Sequence, residues 1–158
     1  MTGGIPIAAI RPDEWELPLF LHVLGALALT GALALTAVYL FSTWRSGSAA
    51  SQRLALRSIT LAVLPAFIVL RGSAEWISDK EGYADLDEPP DWIDIGYMVS
   101  DTGFLLLLIA SLLGYLAMRR ARAGGEGPSA LVKVAAVLIA LLLVMNVVAI
   151  WAMTTKPS

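Results

Sequence analysis

Arg71 and Glu75 stand four residues apart inside a long apolar stretch, a spacing that puts both on one face of a helix and within reach of each other. In a second such stretch Asp94, Tyr97 and Asp101 recur at i, i+3 and i+7, again on one helical face. The first apolar stretch carries His22, the single histidine, and the last carries Asn146. Ionisable groups in apolar spans cost enough free energy that each is a candidate for function. A guanidinium, two or more carboxylates and an imidazole are able to neutralise one another and to bind or pass a small ion, a proton or an anionic ligand. A register device that only holds helices together would use the same residues, since buried ion pairs often specify structure more than they stabilise it.

The inventory of donors limits other chemistries. One histidine excludes a bis-histidine haem within the chain, and the lack of cysteine excludes disulfides, thiolate zinc sites, iron–sulfur clusters and thiol catalysis. His22 with Met98, Met145 or Met153 leaves copper or axial haem ligation as a second reading, with ordinary packing as the alternative for the methionines. The residues themselves do not identify a cofactor. Gly124, Gly125, Glu126, Gly127 and Pro128 read as a turn, because the Lys-Ser/Thr ending and preceding strand of a phosphate loop are missing. Asp85, Asp87, Glu88 and Asp91 lack the glycine and closing glutamate of a calcium loop and read as a solvated face. With no nucleophile beside a base, binding is expected rather than catalysis.

These residues need elements to hold them. Of 158 residues, 58% are hydrophobic and 15% charged, with mean hydropathy +0.74; a soluble domain carries about a quarter charged residues. Apolar stretches at about 17–43, 57–79, 92–118 and 131–154 each reach the ~20 residues that a helix needs to cross ~30 Å of hydrocarbon. They are continuous rather than alternating, so helices rather than barrel strands satisfy the backbone in lipid. The expected fold is all-α: a single-domain integral membrane four-helix bundle over 1–158. Asp13, Glu14 and Glu16 stand where a signal peptide would be basic, so the first span is expected to be retained. A net charge of −2 gives no field for nucleic acid, leaving the bilayer, a small ion or ligand and a second copy of the chain as partners.

Orientation follows the basic residues. Arg45, Arg53 and Arg57 fall in the first connection and Arg119, Arg120, Arg122 and Lys133 in or beside the third, whereas the N-terminal segment and the acidic 79–91 connection have only Arg11 and Lys80. The positive-inside rule then places both termini outside (N-out/C-out), in a bacterial inner or plasma membrane. Trp15, Trp44, Trp76, Trp92 and Trp151 fall near the span ends, where amphipathic rings anchor at headgroups. Counted inward from the outer ends, Glu75 lies about 6 Å deep, His22 about 8 Å, Arg71 and Asn146 about 12 Å and Asp101 about 13 Å. That shared depth predicts one polar cluster, contributed by every span and open to the outside. The inner half offers only Thr36, Tyr39, Thr60, Ser111 and Tyr115. Ala28, Ala32 and Thr36 form a ridge for close helix approach, Pro65 is expected to kink the second span and free a carbonyl near Leu61, and Pro89-Pro90 should start the third.

At Leu21-His22-Val23-Leu24-Gly25-Ala26 the chain resembles an uncharacterised family of bacterial four-span predicted integral membrane proteins, and more distantly the spans of copper-resistance protein D. The resemblance implies the four-span layout and His22 as an outward-facing ligand. A non-catalytic assembly or accessory subunit is the third reading, with the polar residues as its register.

Overall fold

A computed structural model describes residues 16–83, 86, 88, 90–124 and 130–156. They form α1 (Glu16–Ser46), α2 (Ala49–Glu81), α3 (Asp91–Arg122) and α4 (Ala130–Thr155), with no strand among the described residues. All are long and apolar enough to cross a membrane, so the chain is a multi-pass membrane protein with a four-helix architecture. The 31 residues of α1 correspond to about 46 Å, which carries both ends past the hydrocarbon layer.

Composition is sorted the way lipid requires. Leu27, Val38, Leu61, Ile68, Leu105 and Val144 face outward, while Ala55, Ala110, Ala117, Ala135, Ala136 and Ala152 are buried. Lipid tails are as apolar as leucine, so helix association depends on close packing, and small inward residues permit it. Larger core residues cluster nearer the basic end and the middle: Leu33, Leu40, Ile59, Val63, Leu107, Val132 and Ile139. Around the bundle α2 packs on α1, α1 on α4, and α4 on α3. Close approach of the α2 and α3 backbones is concentrated in the Ala49–Ser58 part of α2. Toward the other end these two helices are joined mainly by long side chains.

Three local expectations change in detail. The first connection shrinks to Gly47 and Ser48: α2 starts at Ala49, well before 57, with the Ser51 N–H donating to Ser48 Oγ at 3.3 Å. Arg53 and Arg57 therefore stand on a helix, because hydrogen bonding in Ala49–Ser58 continues through the headgroup zone once a serine caps it. At Pro65 the predicted backbone perturbation takes the form of a π turn over Ile59–Val63, with the Leu64 N–H donating to the Ile59 carbonyl. A proline lacks the donor for the carbonyl four residues back, and a widened turn makes room for its ring. Of the small-residue ridge, Ala32 and Thr36 are buried but Ala28 is exposed.

The acidic end is closed by local chemistry. Gly82 ends α2 at φ 72°, a left-handed cap that a side chain would strain. Pro90 immediately precedes α3, as expected, while its partner Pro89 lies outside the described residues. Tyr83 meets Trp92 edge-on at 5.8 Å, and the Lys156 ammonium lies 4.9 Å from the Trp92 ring centre. Desolvation, then hydrogen bonding to Glu81 and its negative charge, push the Tyr83 phenol upward, so it remains a neutral donor at pH 7. Trp15, Asp13, Glu14, Asp85, Asp87 and the 125–128 turn also fall outside the described residues.

Candidate functional site

Arg71 is the centre of the polar constellation. Its Nη2 lies 2.9 Å from Glu75 Oε1, one helical turn away on α2, and 3.4 Å from Asp101 Oδ1 on α3. The Tyr97 hydroxyl donates to Glu75 Oε2 at 3.2 Å, and the Arg71 guanidinium lies 4.6 Å from the centre of the Tyr97 ring. One turn deeper, Phe67 and Phe104 stack across the same seam with ring centres 5.7 Å apart. Helical spacing pairs Arg71 with Glu75 on α2 and Tyr97 with Asp101 on α3, and packing of the two helices brings the four together, with α2 supplying the cation and α3 the aromatic hydroxyl and second carboxylate. Asp94, on the same side of α3, is exposed and has no ion pair among the described residues.

Charge counting decides what the arrangement suits. One guanidinium faces two carboxylates, so the group carries a surplus negative charge when both are ionised. Side-chain exposure rises from 30% at Arg71 to 45% at Glu75 and 71% at Asp101. The guanidinium is enclosed by its partners, whereas the second carboxylate opens to the surroundings of the bundle.

The other members of the expected single cluster lie on different seams. Asn146, buried on α4, donates from Nδ2 to Thr30 Oγ1 of α1 at 2.8 Å, and Thr30 in turn donates to the Ala26 carbonyl at 2.7 Å. His22 faces α2 from α1 and lies against the Leu70 backbone, where its Nδ1 is buried without a hydrogen-bond partner among the described residues. Depth along the membrane normal is common to these groups, but rotation about each helix axis separates them. Nothing in the sequence distinguishes Thr30, since an intrahelical hydroxyl bond is the default for threonine in a span. Phe67 and Phe104 carried no signal beyond ordinary apolar character.

The metal candidates are similarly dispersed. Met98 is 69% exposed on α3, Met145 is half-buried on α4, and Met153 fills the space over Gly96 between α4 and α3. Among the described residues no group of three or more His, Cys, Asp or Glu side chains could hold a metal ion.

Toward the basic end some polar groups are satisfied within the bundle, whereas Gln52 Nε2 is buried without a hydrogen-bond partner among the described residues. Thr36 Oγ1 donates to the Ala32 carbonyl and shares a hydroxyl–hydroxyl hydrogen bond with Ser58 Oγ, each at 2.7 Å, and Ser111 donates to the Leu107 carbonyl at 2.6 Å. Leu40, Ile59, Val63, Leu107, Val132 and Ile139 fill that half at 2% exposure or less. Comparison with family models, curated proteins and solved structures finds no match to the chain.

Proposed function

We propose that this chain is a bacterial plasma-membrane protein, N-out and C-out, whose Arg71–Glu75–Tyr97–Asp101 constellation binds a proton or small monovalent cation from the outer side. The observation that carries this reading is the sharing of one guanidinium between two carboxylates, one of them largely exposed within an apolar span. An anionic ligand fits less well, because Arg71 is already neutralised and the surplus charge is negative. The tightly filled basic half favours binding over passage through the bundle. His22 and Asn146 act on this reading as neighbours that hold α1 against α2 and α4.

Infrared difference spectra test the site directly. The protein is reconstituted in phosphatidylcholine vesicles and the outer buffer is changed from neutral to acidic, or from choline chloride to sodium chloride. Acid should produce a protonated-carboxyl signal, or sodium a shifted carboxylate signal, that is missing in Asp101→Asn. Identical difference spectra in wild type, Asp101→Asn and Glu75→Gln would leave the constellation as a strut only. Orientation has its own test, resting on Arg45, Arg53 and Arg57 on the helices flanking the Gly47–Ser48 turn and on the basic end of α3. In intact cells a membrane-impermeant thiol reagent should modify Thr155→Cys and spare Ala50→Cys; the reverse pattern would invert the topology.

A further inference from the structure

The basic end of the bundle poses a separate electrostatic problem. Arg45, Arg53, Arg57, Arg119, Arg120, Arg122 and Lys133 are all exposed there, and they are seven of the chain's eleven basic residues. The described carboxylates, Glu16, Glu75, Asp79, Glu81, Glu88, Asp91, Asp94 and Asp101, all belong to the opposite half. No ion pair among the described residues engages any of the seven cations.

Lys133 is the most demanding of them. It stands inside the apolar helix α4, with Val134 and Val137 exposed beside it. Its ammonium lies 5.7 Å from the centre of the Trp44 ring on α1. Trp44 packs partly into the core and stacks on Phe41, with ring centres 5.7 Å apart, and Phe41 is 39% exposed. The α1–α4 seam thus presents an apolar aromatic surface with a cation held at its rim. A lysine stem can lie on apolar surface while its ammonium reaches the interface, and an indole at headgroup level serves the same boundary. Among the described residues no carboxylate stands beside this cation next to hydrocarbon.

We propose that the α1–α4 seam at Trp44 and Lys133 binds an anionic phospholipid of the leaflet facing the basic end, the phosphate at Lys133 and the acyl chain on Phe41 and Trp44. A zwitterionic lipid brings its own cation to the phosphate and leaves the excess positive charge of this end uncompensated. Phosphatidylglycerol brings the net negative charge that the neighbouring arginines also attract.

Tryptophan quenching by brominated lipids reads this site. The difference between wild type and Trp44→Phe isolates the Trp44 share of the emission of five tryptophans. In vesicles of mixed composition, brominated phosphatidylglycerol should quench that share at about fivefold lower mole fraction than brominated phosphatidylcholine, the preference expected for one cation near a membrane surface. Lys133→Gln should remove most of the preference, leaving only the share that the neighbouring arginines attract, and high salt should weaken it in the wild-type protein, independently of how any lysine variant folds. Equal quenching of Trp44 by the two lipids in wild type would overturn the proposal. So would loss of the preference on adding inorganic phosphate alone, which would assign the seam to a soluble anion.

Discussion

Arg71→Leu is expected to lower the stability of the detergent-purified protein by about 2–3 kcal/mol at neutral pH. The guanidinium holds Glu75 at 2.9 Å and Asp101 at 3.4 Å. Its removal leaves two carboxylates facing each other across a seam where α2 and α3 have little close backbone approach to fall back on. A fully enclosed pair would cost more to break, but the exposure of Asp101 moderates the loss. Two further measurements separate charge from packing. Asp101→Asn added to Arg71→Leu should recover most of the loss, and the deficit of Arg71→Leu should shrink as acid protonates the orphaned carboxylates. Thermal unfolding of the single and double variants checks both. A single variant that melts like wild type would mean that Arg71 does not tie α3 to α2.

The second large effect is steric and lies on the neighbouring seam. A Cβ at Gly25 would come within 3.0 Å of both the backbone nitrogen and the Cα of Leu70. Backbone atoms of a packed helix cannot swing aside as a side-chain tip can, so Gly25→Ala must push α1 away from α2. The expected cost is about 1–3 kcal/mol, the usual range for overpacking, and Gly25→Val should exceed Gly25→Ala. Because His22 lies against the same Leu70 backbone, its imidazole NMR signals should shift in Gly25→Ala. Gly31 is the control: a Cβ there meets nothing within 4 Å, and Gly31→Ala should be neutral or stabilising through helix propensity. Equal melting of the two alanine variants would show that the α1–α2 seam is looser than its 3.0 Å approach.

Much of this molecule is legible without coordinates. The apolar runs are long enough to require helices in lipid, and their even number returns the chain to the side on which it began. The Arg71–Glu75 pair and the Asp94–Tyr97–Asp101 face follow from helical spacing, which is local and depends only on position along one chain segment. Hydropathy does not locate the α1–α2 turn, because it marks where hydrocarbon ends and not where backbone hydrogen bonding ends; Arg53 and Arg57 lie in that gap.

Rotation of each helix about its own axis was decided only by tertiary packing. In a soluble bundle an apolar stripe marks the buried side, but these helices are apolar on nearly every face, since lipid and core are equally apolar. Depth could therefore group His22, Arg71, Asp101 and Asn146, while nothing in the spacing said which neighbour each would face. Packing sends Arg71 toward α3, His22 toward α2 and Asn146 toward Thr30 on α1. The selecting contacts are small-residue approaches such as Gly25 on Leu70 and hydrogen bonds between helices such as Asn146 to Thr30. Their partners lie 45 and 116 residues apart, far beyond the reach of any local pattern.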